Sequence, residues 1–282
     1  METILNGRPH YPTGESKAEN APIAFADTVL YNLPVGDDYW HLGLSAHSAH
    51  LTARPGQFFH IRCPSTSVGD PYLRRPMSVY ATDPEAGTVE FLYKVTGIGT
   101  YGLSTLTPHE ELDILGPLGN GFHVTPEWSH AVVVARGVGL ATMGPLAGQL
   151  ATEDVHITAL CSYREAGAVI GLEPFSKAGA DIHSVYDTDG SSGMAEVAER
   201  IRRLHRGRPI DVVFTCGSNR IARMLQALQV ELNIAGQIAL EQRMGCAIGM
   251  CHACVLDFKG PNGVESRRVC CQGPVFALEE LL

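Results

Sequence analysis

No apolar run in this chain of 282 residues reaches the roughly 18 that a membrane-crossing helix needs, which argues against a helical membrane span. Positive charge is also in short supply. The 21 Lys and Arg against 30 Asp and Glu leave a formal net charge of −9, whereas nucleic-acid phosphates are bound by a Lys/Arg surplus. Nucleic acid is therefore not an expected partner. The opening METILNGRPHYPTGESKAEN lacks the charged-then-apolar order of a secretion signal, so a cytoplasmic protein with a polar tail over 1–20 is expected. Internal repeats and low-complexity tracts are missing too. What is present is a core-forming composition, 45% apolar and 18% charged, on a length that suits two domains or three small ones.

Three composition zones follow the tail. Over 21–122 come short runs rich in β-branched and aromatic residues, split by Pro and Gly: FADTVLY, YWHLGLS, GQFFHIRC, MSVYAT and TVEFLYKV. Regular short strands of this kind predict a small antiparallel barrel or sandwich, with a short helix after Gly99. Over 123–235 the rhythm changes at His130. HAVVVA is continuously apolar, as in a strand buried on both faces, and leads through a glycine turn into a helix. VHITALC, DIHSVYD and IDVVFTCG alternate with the helical stretches MAEVAERIRRLH and SNRIARMLQAL, which predicts a parallel sheet covered on both faces. The basic stretch RIRRLHRGR, Arg200 to Arg208, reads as a solvated helix end or as a patch for an acidic partner or a cofactor phosphate.

The third zone, 236–282, holds Cys246, Cys251, Cys254, Cys270 and Cys271, while Cys63, Cys161 and Cys216 are scattered and read as small buried residues. Cys246-x4-Cys251-x2-Cys254, followed by a later cysteine, has the spacing of plant-type [2Fe-2S] ferredoxins. The chemistry needs that pattern. Four thiolates must converge on two irons from one wrapping loop, and the small residues Gly245, Ala247, Gly249 and Ala253 let backbone amides approach the sulfurs. A structural zinc is the competing reading, but zinc sites favour paired C-x2-C knuckles and only one is present. Cys270 and Cys271 compete for the fourth position. His252, inside the loop, is expected to be exposed rather than a ligand.

In LRRPMSVY, Leu73 to Tyr80, two arginines stand beside a proline in a strand. Arg75 suits bidentate binding of a diphosphate, and Ser78 could donate to the same ligand. Some twenty residues on, Gly97-Ile98-Gly99-Thr100 opens a helix whose amides form a second anion site.

These residues carry a resemblance. Arg75-Pro76-Met77-Ser78 resembles the R-x-[YFP]-S flavin signature of the ferredoxin–NADP⁺ reductase superfamily. GPLGNGF, Gly116 to Phe122, resembles the segment closing the flavin barrel there, and VFTCGS, Val213 to Ser218, its C-G-P motif near the nicotinamide. With CAIGMCHACV and VCCQGPVF, residues from about 21 to 282 resemble the iron–sulfur electron-transfer subunits of two-component dihydroorotate dehydrogenases. The resemblance implies a multi-domain β plus α/β chain: an antiparallel flavin-binding β-barrel (21–122), a parallel-sheet NAD(P)-binding domain (123–235) and a small C-terminal [2Fe-2S] domain (236–282). It implies FAD contacts at Arg75, Pro76, Met77, Ser78, Leu92, Tyr93, Lys94, Gly99 and Thr100. Nicotinamide contacts are implied at Gly137, Gly139, Cys216 and Gly217, and cluster ligands at Cys246, Cys251, Cys254 and Cys270, with Cys271 outside the ligand set. No acid–base side chain is implied as catalytic. Electrons would pass between NAD(P)H, FAD and the cluster, to or from a separate FMN-containing catalytic subunit of pyrimidine biosynthesis in a heterotetramer.

Two departures bear on the nicotinamide. Where the family reads G-G-G-[IV]-G-x-A-P this chain reads ARGVGLAT, and C-G-P is replaced by C-G-S. Arg136 in the glycine turn either blocks backbone approach or supplies a phosphate with a cation. It leaves room for a different partner oxidoreductase with altered or absent NAD(P) binding. A zinc-stabilised binding module without redox activity is the reading from another class. In SYRE, Ser162 to Glu165, Arg164 is a candidate for an adenosine contact.

Overall fold

The structure, a computed structural model, describes residues 22–36 and 38–282 together with the backbone of 3–5 and 8–10. The expected tail over 1–20 otherwise lies outside the described residues. Within it, β1 (Thr3–Leu5) and β2 (Arg8–His10) pair antiparallel.

The first zone supplies β3 (Ile23–Pro34), β4 (Tyr39–Ser45), β5 (Phe58–Ile61), β6 (Arg75–Ser78), β7 (Ala81–Asp83), β8 (Thr88–Lys94), helix α1 (Ile98–Ser104) and β9 (Glu111–Leu118). The strands form one seven-stranded antiparallel sheet in the order β6-β5-β9-β3-β4-β8-β7. Alternation drives it. Leu42 and Leu44, Phe59 and Ile61, Val89, Phe91 and Tyr93, and Leu112 and Ile114 all point into one buried core. Each such side chain is worth about 1.5–3 kcal/mol when fully buried. The two edge strands, β6 and β7, are separated in sequence only by Val79 and Tyr80, which forces the edges together. Val79 donates to the Gln57 carbonyl at 3.1 Å and Tyr80 to the Glu90 carbonyl at 2.8 Å, so this dipeptide closes the curl. Pro76 is tolerated because β6 is an edge strand, paired only with β5. Buried Asn32 fixes α1 to the barrel: its Nδ2 donates to the Leu103 and Leu106 carbonyls at 2.8 and 3.2 Å, and its Oδ1 accepts from Tyr93 at 3.0 Å.

The second zone alternates β10 (His130–Arg136), α2 (Gly139–Thr152), β11 (His156–Tyr163), α3 (Glu173–Lys177), β12 (Asp181–Tyr186), α4 (Met194–Gly207), β13 (Val212–Cys216), α5 (Asn219–Leu232) and β14 (Ala235–Ala239). The third gives the hairpin β15 (Val255–Gly260) and β16 (Gly263–Arg268), the short α6 (Val269–Gln272) and β17 (Val275–Ala277). Strands β12-β11-β10-β13-β14 run parallel, and β17 adds antiparallel to β14. Successive residues of HAVVVA serve opposite layers. Ala131, Val133 and Ala135 pack with α2, and Val132 and Val134 with α4 and α5. The boundary drawn at 235/236 falls inside β14, and the cysteine-rich zone returns to this sheet through β17. RIRRLHRGR ends α4 largely engaged: Arg202 pairs with Glu231, Arg206 with Glu199, and Arg208 donates to the Ser129 carbonyl.

The third zone also packs on the barrel. Phe58 and Leu118 share a core with Met244, Ala247, Cys254, Phe258, Val269, Cys270 and Phe276. The Asn120 amide donates to the Gly273 carbonyl at 2.6 Å, and a Cβ on Gly119 would lie 2.5 Å from the Pro274 ring. The segment Gly116 to Phe122 thus fastens barrel to cysteine zone.

Candidate functional site

The cysteine loop turns at Ala247, Gly249 and His252, whose φ values of 59°, 82° and 57° lie in the left-handed region. The turns aim backbone amides at sulfur. The Cys251 amide donates to Cys246 Sγ at 3.3 Å, and the Cys270 amide to Cys254 Sγ at 3.4 Å. Cys251 is exposed and Cys246 half-buried, while Cys254 and Cys270 are buried. Burial alone would raise the Cys246 thiol, but amides of Cys251, Ile248 and Met250 outweigh it and bring the pKa down to about 7, toward the thiolate a metal needs. Burial pushes the Cys270 thiol up, with Cys254 and Cys271 adding to it. Gly245 and Gly249 make room, since a Cβ on them would lie 3.1 Å from Cys251 Sγ and 3.0 Å from Cys271 Sγ. No three His, Cys, Asp or Glu side chains among the described residues group around a single metal ion. Two cysteine pairs, each joined by an amide-to-sulfur hydrogen bond, suit two irons taking two protein ligands each. His252 is exposed.

On the barrel, the two arginines beside Pro76 divide. Arg74 is tied down: its Nη1 donates to the His60 and Asp113 carbonyls at 3.2 and 3.1 Å, and it pairs with the Asp113 carboxylate. The Arg75 guanidinium turns to α1, where a Cβ on Gly99 would lie 2.9 Å from its Nε. The side chain missing at Gly99 is what lets the cation reach the helix start. Thr100 holds that turn, its Oγ1 accepting from the Thr96 and Gly97 amides at 2.9 and 3.2 Å. Arg75, Gly99 and Thr100, distant in sequence, thus meet at one cationic, amide-rich spot suited to a diphosphate. Pro76, Met77 and Ser78 are half-buried along β6, with Met77 against the barrel core. Leu92 packs toward the second zone and Lys94 lies 3.7 Å from Asp38. The Tyr93 ring is committed to the barrel core, so it has only backbone to present outward. β7 pairs with β8 only to Glu90, leaving the edge of Phe91–Lys94 beside β6 without a strand partner.

In the parallel sheet the strand order reverses at β10, which has β11 on one side and β13 on the other, and such a reversal opens a ligand crevice beyond the strand ends. The four residues expected at the nicotinamide lie there. Gly137 has φ of 53° after β10, and a Cβ on Gly139 would lie 3.3 Å from the Cys216 carbonyl. Gly217, at φ of 80°, follows β13. Cys216 is buried, and that burial pushes its thiol to about 12, so it is neutral. Cys63 and Cys161 are buried likewise and are raised to about 11 and 12. Ser218, the departure from C-G-P, caps α5 by accepting from the Ile221 amide at 3.4 Å. Arg136 does not project into the turn. It donates to Ser162 Oγ at 3.0 Å and pairs with both Asp187 oxygens, holding that carboxyl well below the usual carboxylate range, with Ser192 assisting. Arg164 is exposed beside them. Sequence reasoning missed Asp187, and also Glu241, which lies against Gly217. The acidic residues flanking these strand ends had no pattern to mark them.

A curled antiparallel barrel, a parallel sheet with a crevice at its reversal, and a paired-cysteine loop define a reductase-type electron carrier of the ferredoxin–NADP⁺ reductase architecture. Comparison with known proteins narrows the class. The iron-sulfur cluster binding domain of dihydroorotate dehydrogenase B matches residues 241–282. A Geobacillus protein named dihydroorotate dehydrogenase B (NAD(+)), electron transfer subunit, is 34% identical over 259 residues, covering 90% of this chain and 97% of the relative. The chain belongs to the family of dihydroorotate dehydrogenase B electron transfer subunits. Among solved structures, one titled for flavin-based electron bifurcation by an NADH-dependent reduced ferredoxin-NADP oxidoreductase superposes with a TM-score of 0.76 at 27% identity, covering 91% of this chain and 89% of the other. Ferredoxin-NADP+ reductase from Plasmodium falciparum shares the fold, with a TM-score of 0.59 at 12% identity over 77% of this chain and 92% of the other. No helix among the described residues is long and apolar enough to cross a membrane.

Proposed function

We propose that the chain passes electrons between NAD(P)H and a separate, FMN-containing dihydroorotate dehydrogenase subunit by way of FAD and a [2Fe-2S] cluster. One observation carries the reading. The crevice, the Arg75–Gly99 spot and the paired-cysteine loop sit on one chain, and the loop packs directly against barrel strands β5 and β9. FAD, when bound, exchanges a two-electron hydride on one side for single electrons on the other.

The side chains supply binding and placement. Arg75 neutralises the diphosphate, the Gly99 and Thr100 backbone closes on it, and Pro76, Met77 and Ser78 with the open edge of Leu92, Tyr93 and Lys94 border the flavin ring. Cys246, Cys251, Cys254 and Cys270 would hold the cluster, which would supply single-electron transfer. Gly137, Gly139, Cys216 and Gly217 line the floor for the nicotinamide dinucleotide, with Arg136 drawn clear of it by Asp187. Residues 21–122 serve as the flavin unit, the parallel sheet from 123 through β14 as the nicotinamide unit, and the residues after β14 as the cluster unit. The complex is a heterotetramer of two copies of each subunit, in the cytoplasm.

Anaerobically purified protein should show flavin and iron–sulfur absorption and contain two irons per FAD. Rapid mixing with NADH or NADPH should bleach the flavin band. Stoichiometric zinc in place of iron would falsify the cluster assignment, and bleaching by neither nucleotide would remove the nicotinamide from the scheme.

A further inference from the structure

We infer that Arg268 sets the reduction potential of the cluster, its guanidinium lying against the cysteine loop and favouring the reduced, more negative state. This rests on the reading that Cys246, Cys251, Cys254 and Cys270 hold a [2Fe-2S] cluster. Arg268 closes strand β16, where it pairs with Val255, the residue after Cys254. The next residue, Val269, donates its amide to the Cys254 carbonyl at 3.1 Å, and Cys270 follows it. The Arg268 side chain reaches the loop between Cys246 and Cys251, where its Nη1 donates to the Gly249 carbonyl at 3.3 Å. Through backbone on one side and side chain on the other, one residue joins the segments that carry all four sulfurs.

Two features hold the guanidinium there. Gln272 Oε1 accepts from the Arg268 amide at 2.8 Å and from its Nε at 3.4 Å, which ties the side chain back to α6. Gly249 has no side chain to keep it away, since a Cβ there would lie 3.3 Å from Nη1 and 3.0 Å from Cys271 Sγ. Alternation along β16 sends the adjacent arginine elsewhere. Arg267 lies over the Phe258 ring and pairs with Glu265 and Glu280 at 3.0 and 2.9 Å, so two carboxylates answer its charge. Arg268 brings its charge to the loop instead.

The step affected moves one electron. Reduced FAD gives it up, the cluster gains it together with one unit of negative charge, and the acceptor subunit then takes it. A guanidinium keeps its charge at every working pH, and at the half-buried Arg268 solvent screens that charge only in part. Its attraction lowers the free energy of the reduced cluster more than that of the oxidised one, and so raises the potential.

The test is a dye-mediated redox titration of the full chain loaded with FAD and cluster, followed by the paramagnetic signal of the reduced cluster. Arg268→Gln and Arg268→Met should lower the reduced-to-oxidised ratio at a fixed potential about fivefold, a fall of roughly 40 mV for one electron. Arg268→Lys, which keeps the charge, should stay within about twofold of wild type. Iron and FAD content should match wild type in the lysine variant and in at least one neutral variant. A wild-type midpoint in the neutral variants overturns the inference. So does a fall in Arg268→Lys equal to theirs, because a merely structural strut would not respond to charge. Loss of the cluster from both neutral variants makes Arg268 a scaffold residue and likewise overturns it. In each of those cases the wild-type signal leaves the cluster reading standing. If wild type gives no such signal, the cluster reading falls and the inference with it.

Discussion

Arg74 and Arg75 are adjacent and chemically identical, and their surroundings give them opposite jobs. Arg74 is bound to Asp113 and two carbonyls, whereas Arg75 reaches the glycine start of α1. Arg75→Ala should weaken FAD retention 10- to 100-fold, as loss of about 1.5–3 kcal/mol implies, measured as flavin released on ultrafiltration. The adjacent cysteines part in the same way. Cys270 is buried and its amide bonds to Cys254 Sγ, while Cys271 is half-buried. Cys270→Ser should abolish the reduced cluster's electron paramagnetic signal and Cys271→Ser should preserve it; the reverse result would exchange the two assignments. His60 gives a pH dependence. Burial, then the charge on Arg74, lowers its pKa from 6.5 to about 4. A depressed pKa means that the neutral ring stabilises the fold fully above pH 6.5 and that this contribution is lost as pH falls toward 4. The gap is worth about 3 kcal/mol. The melting temperature should therefore fall over that window, and His60→Leu should flatten the fall.

Elements differed in how well the residues announced them. YWHLGLS is β4 residue for residue, and HAVVVA and MAEVAERIRRLH fall within one or two residues of β10 and α4, because long runs of strict period leave little choice. Strand β9 went unread although Leu112 and Ile114 alternate inward between Glu111 and Asp113, a signal that was available in ELDILGPL. Strand β14 hid behind Gln237, a polar residue that looks wrong for a buried strand until its side chain is seen to bond both ways with the His123 backbone. Three residues of β17 carry no period at all, and their pairing with β14 is set by tertiary contact. At the site the ligand types were legible from spacing, but the meeting of Arg75 with Gly99 was a matter of chain path. β17 yields its own prediction. The Phe276 ring packs against Phe258 in a tilted arrangement, centroids 4.3 Å apart, and shares a core with Cys254 and Cys270. Phe276→Ala should cost about 3–5 kcal/mol in denaturant unfolding and lower iron retention in parallel.

Across the whole molecule the cysteine zone is held from two directions, by the barrel through Asn120 and by the parallel sheet through β17. What it turns outward is the tip of its loop: Ile248 and Met250 are 50% and 78% exposed beside exposed Cys251. Apolar groups next to an exposed cysteine proposed to hold the cluster suit a docking face for the catalytic subunit. Met250→Lys should weaken co-elution of the two subunits while iron content stays unchanged.

The barrel's closure by Val79 and Tyr80 follows directly after the four residues proposed to border the flavin. That wall is a hoop fastened by main-chain bonds on both sides of its seam, and it owes its shape to the polypeptide. Protein stripped of flavin should therefore keep the far-ultraviolet circular dichroism of the loaded form and regain full flavin absorption on addition of FAD; loss of the dichroism on stripping would show that the wall depends on its ligand.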